Sequence, residues 1–518
     1  MIGADDVMPS SPPSEERSAI AEHIRGGTLL VAGQGISLSM AFAAQVLMVR
    51  YLTKSDFGAF AYALAVVLIA QAFCTFGLNR TIARFASIYH EEGRIDRLFG
   101  AIALGLAAIF GVGVVVIGAT FAILRLAGDS IVHDATARTV LAILIVLAPV
   151  QAVDDLMMSL FAVFGRVRTI FLRTYVVAPA LRLAVVLVLI AVHSDVRFLA
   201  AGFVASGVFG FGIFALLFVR MLRREELLHE LHPRSLSIPI RSVFGLTIPL
   251  LVADLTYILL TSTDAVLLGY FRGTTEVAAF RAVQPAAKLN EVVSSSFLIL
   301  FTPVASRLFA RGDRGAIKDL YWKTATWIAV FTFPIFVVTF ALARPFTVLV
   351  FGDRYSSSGT LLAVLAVGYY LQVAVGFNGT VLMVMGKMKL VVGAGLVAVA
   401  ANVALDLVLI PRYGAMGAAV GTSSALVIYN LLKQVALRVG AGVPVFDRRY
   451  LRVYATIACG AASVALVEHE LQLELLTALP LALAASVLVL RLNRRSLAVA
   501  ETFPELRRLP LARRIFGE

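Results

Sequence analysis

The sequence predicts an all-α integral membrane protein of about fourteen transmembrane helices, arranged as two parallel six-helix lobes and two extra helices. Three observations support this fold class. First, 60% of the 518 residues are hydrophobic, 15% are charged and the mean hydropathy is +0.90, whereas soluble domains are about half apolar and about a quarter charged. Second, basic residues are distributed unevenly between alternate loops. Third, the chain contains an internal repeat.

Apolar stretches of about 20 residues, the length that crosses the hydrocarbon core as a helix, occur fourteen times. They lie at roughly 28–49, 57–78, 99–124, 139–164, 174–192, 198–219, 242–269, 276–303, 324–343, 359–384, 390–410, 415–437, 453–467 and 472–490. The Pro/Ser-rich start of the chain lacks the pattern of a signal peptide. We therefore expect a disordered cytosolic tail before the first span.

The basic residues orient these spans. With the N-terminus in the cytosol, 33 of the 45 Lys and Arg residues lie in cytosolic segments, 9 lie in the short loops on the other side, and Arg182, Arg281 and Lys288 lie within spans. Basic residues are retained on the cytosolic side of membranes. Both termini are therefore expected to be cytoplasmic, and the net charge of +13 indicates lipid headgroups as neighbours rather than nucleic acid. The two cysteines, Cys74 and Cys459, lie in apolar runs and predict no disulfide framework.

The repeat divides the chain into two similar halves. The stretch "FGRVRTIF" (164–171) resembles "MGKMKLVV" (385–392), and "VLMVRYLTKSDFGAF" (46–60) resembles "VLLGYFRGTTEVAAF" (266–280). Because each half has six spans, both halves share one orientation, as in transporters whose parallel repeats enclose a central cavity. The predicted parts are a tail (1–26), an N-lobe (27–225), a cytosolic linker (226–241), a C-lobe (242–440), spans 13 and 14 (441–490) and a basic cytosolic tail (491–518).

Four polar residues of the C-lobe are predicted to lie at one depth. Asn402 and Asp406 are four residues apart and share a face of span 11. Asp264 in span 7 and Thr422 in span 12 lie, like them, roughly 6–12 Å below the outer surface, at 1.5 Å per helical residue. Their oxygen atoms suit a hard cation such as sodium, or a shared proton. The alternative is that Asp406 pairs locally with Arg412.

Basic residues near the predicted cavity are candidates to bind an anionic substrate. Arg and Lys in spans are costly and usually face a cavity or a partner, and both bind phosphate. The candidates are Arg80, Arg84, Arg182, Arg281 and Lys288. The alternatives are an ion pair of Arg182 with Asp154 or Asp155, a local pair between Lys288 and Glu291, and, for Arg80 and Arg84, the charge bias of cytosolic loops. Asp254 has no assigned role.

Several stretches resemble bacterial polysaccharide flippases. These are "VRYLTKSDFGAFAYALAVV" (49–67), "STDAVLLGYF" (262–271), "LFTPVASRLFARGD" (300–313) and "LIPRYGAMGAAVGT" (409–422). The resemblance covers roughly residues 25–440. It places the chain in the multidrug/oligosaccharidyl-lipid/polysaccharide flippase superfamily, which includes the lipid II flippase. It implies two lobes that form a V opening alternately to each side, and a polyprenyl-diphosphate-linked oligosaccharide as substrate.

The resemblance also bears on the C-lobe residues. The sodium site of the lipid II flippase is similar in using an Asp of span 7, an Asn and an Asp four apart on span 11, and a Thr of span 12. Asp264, Asn402, Asp406 and Thr422 match these positions. Sodium or proton coupling is therefore expected, with no other cofactor.

The sequence favours a secondary transporter, not an enzyme. It would flip a lipid-linked oligosaccharide across the cytoplasmic membrane by alternating access, for cell-surface polysaccharide synthesis. Its expected partners are this substrate, membrane lipids and other polysaccharide-assembly proteins, and it is expected to be a monomer. The alternatives are a multidrug/cation antiporter of the same superfamily, a membrane glycosyltransferase or polymerase, and a scaffold for polysaccharide assembly. The short outer loops argue against the enzyme, because such enzymes usually carry a sizeable outer loop with catalytic carboxylates.

The predicted orientation has a direct test. Cysteines introduced at Ser194 or His469 should react with an impermeant thiol reagent added to intact cells, because these positions lie in predicted outer loops. Cysteines at Gly93 or Glu226 should react only after lysis. Labelling of the second pair in intact cells would contradict the topology.

Overall fold

The computed structural model describes residues 14–227, 237–375 and 377–497, and all regular structure in these ranges is helical. The helices are α1 (Ser14–Tyr51), α2 (Lys54–Thr75), α3 (Leu78–Glu91), α4 (Ile95–Leu126), α5 (Gly128–Ile131), α6 (Ala135–Leu144), α7 (Leu147–Val163), α8 (Val167–Phe171), α9 (Ala178–Val192), α10 (Val196–Arg224), α11 (Ile240–Arg272), α12 (Thr274–Ala287), α13 (Leu289–Ala310), α14 (Arg314–Phe340), α15 (Ala343–Phe351), α16 (Ser358–Ala374), α17 (Asn378–Val384), α18 (Met388–Tyr413), α19 (Ala415–Ala441), α20 (Leu451–Leu471), α21 (Leu475–Leu492) and α22 (Arg494–Leu497). A π-helical segment (Leu172–Val177) joins α8 to α9, and 3₁₀ turns occur at Asp353–Tyr355 and Arg448–Tyr450.

Within the described ranges, eleven helical segments are long and apolar enough to cross a membrane. They correspond to predicted spans 2–6 and 9–14, while α1, α11 and the pair α12–α13 occupy predicted spans 1, 7 and 8. The all-helical membrane fold is therefore confirmed, and fourteen crossings with cytoplasmic termini stay a prediction. Helix α1 begins at Ser14, inside the segment expected to be a disordered tail. Residues 1–13, the middle of the linker (228–236) and most of the basic tail (498–518) lie outside the described residues.

Proline divides predicted span 8 into α12 and α13. Pro285 has no N–H, so the carbonyl group of Arg281, four residues earlier, loses its helical donor. Gln45 of α1 supplies a replacement, because its Nε2 atom donates a hydrogen bond of 3.2 Å to this carbonyl oxygen. The junction between α12 and α13 falls at Lys288. The first lobe thus supports the backbone of the second at the point where its helix is interrupted.

The two lobes approach most closely where α2 meets the start of α12. A Cβ atom built on Gly58 would lie 1.8 Å from the carbonyl oxygen of Thr274, and one on Gly269 would lie 2.3 Å from the ring of Tyr62. Only glycine allows helices to approach this closely. The interface between the lobes is therefore made of direct helix contacts at this end of the molecule.

Two arginines close the predicted outer end by exchanging contacts between the lobes. The Nε atom of Arg50, at the end of α1, donates to the carbonyl oxygen of Val350 over 2.9 Å, and its Nη2 atom donates to Leu349. In return, the Nη2 atom of Arg354 donates to the carbonyl oxygens of Val49 and, over 2.6 Å, Arg50. Each guanidinium thus binds the partly negative C-terminal end of a helix in the other lobe, which is the favourable end for a cation.

The opposite end of the interface is also closed, by different chemistry. Arg80 of α3 forms an ion pair of 3.0 Å with Asp254 of α11. Next to it, the Thr247 hydroxyl donates to the Thr81 hydroxyl over 3.1 Å. Both contacts connect the lobes, so the space between them is bounded at both ends.

The close approach at Gly58 predicts the effect of one methyl group. Gly58→Ala should lower the melting temperature of the purified protein, because the added Cβ collides with a backbone atom and overpacking costs about 1–3 kcal/mol. Gly118→Ala on α4 is the matched control, since a Cβ there meets nothing within 4 Å, and replacing a helical glycine should raise stability by about 0.5–1 kcal/mol. Equal effects of the two substitutions would contradict the proposed contact.

Candidate functional site

A cavity of about 510 Å³ lies between the lobes. Its polar lining includes Gln71, Arg80 and Asp155 in the N-lobe and Asp254 and Tyr429 in the C-lobe. The outer contacts of Arg50 and Arg354 bound one end of the interface, and the ion pair of Arg80 with Asp254 bounds the other. The arrangement places charged groups of both signs along a partly open cavity between the lobes.

Arg80 was predicted to bind an anionic substrate, and the structure shows that its guanidinium already has a partner. It is paired with Asp254, to which the sequence analysis assigned no role. The Arg80 side chain is 56% exposed and that of Asp254 is 23% exposed, so the pair stays accessible from the cavity. Arg84 lies one turn along α3 and is exposed. An anion can therefore reach both arginines, but at Arg80 it must replace a carboxylate.

A second polar cavity, of about 250 Å³, lies within the N-lobe. The sequence suggested that Arg182 pairs with Asp154 or Asp155. Instead, Arg173 donates two hydrogen bonds to the Asp154 carboxylate, from Nε to Oδ1 over 3.1 Å and from Nη2 to Oδ2 over 2.8 Å. The Asp155 carboxylate accepts a bond of 2.8 Å from Gln71. Arg182 lines the same cavity without a salt bridge to either carboxylate in the described structure.

Sequence reasoning missed Arg173 because the predicted span began one residue later, at 174. The structure extends the helical path back through α8 and the π-helical segment, so Arg173 lies inside the lobe and is 8% exposed. Its guanidinium also lies 5.3 Å from the ring centre of Phe214. No pattern in the sequence indicated this position, because the π-helical segment departs from regular α-helical periodicity.

The four C-lobe residues predicted to share a depth come together in the structure. Thr422 donates its hydroxyl to Asp264 Oδ2 over 2.7 Å, and Asn402 donates from Nδ2 to Asp406 Oδ2 over 3.2 Å. The carboxyl groups of Asp264 and Asp406 are direct neighbours. All four side chains are buried, at 0–1% exposure. Helices α11, α18 and α19 thus build one oxygen-rich site.

The donor chemistry of this site fits a hard cation. The Oδ1 atoms of Asp264, Asn402 and Asp406 are buried and have no hydrogen-bond partner. Buried polar atoms without partners are rare in native proteins, and carboxylate and amide oxygens are the ligands that alkali and alkaline-earth ions prefer. A Cβ on Gly421 would lie 2.2 Å from Asp406 Oδ1, so glycine leaves the room that this oxygen occupies. The suggested local pair of Asp406 with Arg412 does not form in the described structure.

Arg281 and Lys288, predicted as separate substrate contacts, are close enough for their charges to interact with Asp264 of this oxygen-rich site. Arg281 donates from Nη1 to Gln284 over 2.8 Å, while its buried Nε and Nη2 atoms have no partner. Asp264 is the carboxylate that acts most strongly on this guanidinium. Lys288 Nζ lies 5.5 Å from the ring centre of Tyr369. Among the described residues Lys288 forms no salt bridge with Glu291, although their charges interact.

The bidentate pair of Arg173 and Asp154 makes a specific stability prediction. Arg173→Leu should destabilise the purified protein strongly, by about 3–5 kcal/mol, because it leaves a buried carboxylate without its partner. Arg173→Leu/Asp154→Leu should recover most of this loss. Thermal unfolding measures both, and Arg182→Leu, which removes a cation from the same cavity without breaking the pair, is the control. A double variant as unstable as Arg173→Leu would contradict the pairing.

Comparison with known proteins now gives the family. Residues 24–309 match the model of the family described as polysaccharide biosynthesis protein. The chain is 22% identical over 408 residues to the uncharacterised membrane protein MJ1068 of Methanocaldococcus jannaschii, covering 75% of this chain and 78% of that protein. It is 25% identical over 134 residues to the teichuronic acid biosynthesis protein TuaB of Bacillus subtilis, covering 24% of this chain and 26% of TuaB.

Solved structures agree at the level of the fold. The lipid II flippase MurJ in its inward closed conformation matches with a TM-score of 0.69 at 13% identity, covering 91% of this chain and 100% of MurJ. An inward-facing multidrug transporter of the MATE family matches with a TM-score of 0.59 at 13% identity, covering 79% and 98% of the two chains. The chain therefore belongs to the polysaccharide biosynthesis protein family, as the resemblance predicted, and is a multi-pass protein of the cytoplasmic membrane with the fold of the multidrug/oligosaccharidyl-lipid/polysaccharide flippase superfamily.

Proposed function

We propose that this flippase moves an oligosaccharide linked to a polyprenyl diphosphate across the cytoplasmic membrane by alternating access. The observation that carries the proposal is the ion pair of Arg80 with Asp254, which connects the lobes at the predicted cytosolic end of the central cavity. A diphosphate is the kind of group that can compete for this arginine. The match to the polysaccharide biosynthesis family supports a glycan as cargo.

The exchange at Arg80 gives the substrate a way to open the entrance. Guanidinium groups bind phosphate oxygens in the same two-pronged geometry as carboxylates. When the diphosphate takes the place of Asp254, the contact that joins α3 to α11 is lost. Arg84, exposed on the same helix, adds a second positive charge for the diphosphate. The glycan then enters the cavity between the lobes, and the lipid chain stays in the bilayer.

The remaining basic candidates are proposed as contacts deeper along the path. Arg182 lines the N-lobe cavity, which shares Asp155 with the central cavity. Arg281 has two guanidinium nitrogens without partners, and Lys288 lies at the junction of α12 and α13. We further propose the fourteen-span topology with both termini in the cytosol, the domain boundaries given above, and a monomer that works beside other polysaccharide-assembly proteins.

Asp264, Asn402, Asp406 and Thr422 are proposed to hold the coupling cation. A sodium ion bound there would neutralise carboxylate charge in the C-lobe, and a shared proton would do so in its place. The residues themselves fix the geometry: Thr422 holds Asp264, and Asn402 holds Asp406. Helices α18 and α19 also pack closely through Gly417 and Gly421, which fixes Asn402 and Asp406 relative to Thr422.

Translocation of a fluorescent polyprenyl-diphosphate oligosaccharide in proteoliposomes tests the proposal. Arg80→Ala should reduce transport on the order of tenfold or more, because a charge-assisted contact is worth about 1.5–3 kcal/mol. Asp254→Asn should increase binding of the same lipid, since Arg80 loses its competing partner. Arg314→Ala, which removes an exposed arginine at the start of α14, should leave both unchanged.

The same vesicles separate the proposal from its alternative. A protein that exchanges an organic cation for sodium or protons, and leaves the lipid-linked oligosaccharide on its original side, would be a multidrug antiporter. Normal lipid transport by Arg80→Ala would show that Arg80 does not bind the substrate at the entrance.

A further inference from the structure

The buried charges around Asp264 do not balance. Three carboxyl groups, those of Asp264, Glu291 and Asp406, share this region of the C-lobe with two basic groups, those of Arg281 and Lys288. Asp264 is the main negative neighbour of Arg281, and Glu291 is that of Lys288. Asp406 has only the other carboxylate, Asp264, as a charged neighbour in the described structure. With all five groups ionised, the cluster is one positive charge short.

The oxygen atoms without partners lie at the part of the cluster where this charge is missing. The side chains of Asp264 and Asp406 are fully buried, Asn402 is 1% exposed, and the Oδ1 atom of each has no hydrogen-bond partner. Tyr369 from α16 and Thr422 from α19 complete the polar surroundings and bring no further charge near neutral pH. Geometry and charge therefore agree on one cation with a single positive charge.

Arg281 is held in a way that keeps its charge at this place. Its Nη1 atom is bound to Gln284, whose Nε2 lies 3.5 Å from the Tyr369 hydroxyl. Its carbonyl oxygen, released by Pro285, is bound by Gln45 of the other lobe. Hydrogen bonds thus hold both the side chain and the backbone of this arginine, whose charge interacts with that of Asp264.

We propose that Arg281 determines the valence of the cation that the C-lobe site accepts. Arg281 already supplies one positive charge to the two aspartates, so a monovalent ion completes the balance. A divalent ion would leave one uncompensated positive charge in a buried site, which is strongly unfavourable. This role rests on the proposed cation site and makes Arg281 a positioning residue that acts through Asp264, in addition to any contact with substrate.

Thermal unfolding of the purified full-length protein in sodium, calcium or choline chloride at equal ionic strength tests this role. The wild-type protein should be stabilised by sodium and not by calcium. Arg281→Gln should gain stabilisation by calcium, and its half-maximal sodium concentration should fall on the order of ten- to a hundredfold, because a nearby repulsive charge is gone. Arg281→Lys should keep the monovalent preference.

The charge balance predicts a second result that a purely structural role of Arg281 does not. Asp264→Asn should lose the sodium response, because the cluster is then neutral without an ion. Asp264→Asn/Arg281→Gln should regain it, because the deficit of one charge is restored while the amide introduced on α11 still offers an oxygen atom. This double variant removes the charges of Asp264 and Arg281 together, so neither is left without the other. It can therefore replace Arg281→Gln in the test if that single variant does not fold. Lys433→Gln is the control, since this lysine is buried on the ring of Tyr429 with 3.9 Å between Nζ and the ring centre, and its loss should leave the monovalent preference intact.

The outcomes distinguish the two proposals. Loss of the sodium response in Asp406→Asn supports the cation site. If Asp264→Asn/Arg281→Gln then stays unresponsive to sodium, or Arg281→Gln is not stabilised by calcium, the cation site stands and the role of Arg281 is wrong. If Asp406→Asn responds to sodium as the wild type does, the cation site itself is wrong and the role of Arg281 falls with it.

Discussion

One constraint shapes this structure: a charged group in an apolar interior needs an opposite charge or a hydrogen bond from the protein itself. No water is present in the hydrocarbon region to take that role. Arg173 forms an ion pair with Asp154 inside the N-lobe, and Gln71 donates a hydrogen bond to Asp155. Arg80 satisfies Asp254 across the two lobes. The location of the partner decides what each pair connects: a partner in the same lobe stabilises that lobe, and a partner in the other lobe joins the two.

The two ends of the lobe interface use different partners, and this difference bears on the proposed anionic cargo. At the predicted outer end, Arg50 and Arg354 bind carbonyl oxygens at helix ends, which are backbone atoms and move only with their helices. At the predicted cytosolic end, Arg80 binds a carboxylate on a side chain. A phosphate can displace the second contact by simple exchange of anions, because its charge and geometry match those of the carboxylate. The outer contacts allow no such exchange, because their acceptors are backbone carbonyl oxygens.

Hydropathy, charge asymmetry and the repeat were enough to predict the helical membrane fold, because each is a local property summed over many residues. The shared depth of Asp264, Asn402, Asp406 and Thr422 could also be predicted, since helical rise and periodicity fix it. The sequence could not predict that Asp154 pairs with Arg173 rather than with Arg182, because a π-helical segment shifts the helical register by an amount that no local pattern encodes. The pairing of Arg80 with Asp254 depends on how two lobes meet, and composition carries no information about that.

The interruption at Pro285 connects these features. Helices α18 and α19 pack closely through glycines that face Leu409 and Asp406, so three of the four ligands of the proposed cation site, all but Asp264, lie on one closely packed pair of helices. Helix α12 is different, because it begins against Gly58 of the N-lobe, receives a hydrogen bond from Gln45 at Arg281, and carries the guanidinium whose charge interacts with Asp264. In the proposed alternating-access cycle, a rotation of the lobes would change the contacts with Gly58 and Gln45, and these contacts act on the same short helix that positions Arg281. Among the helices described here, α12 therefore joins the lobe interface directly to the charge that borders the cation ligands, and a proline in the sequence is what frees its backbone to do so.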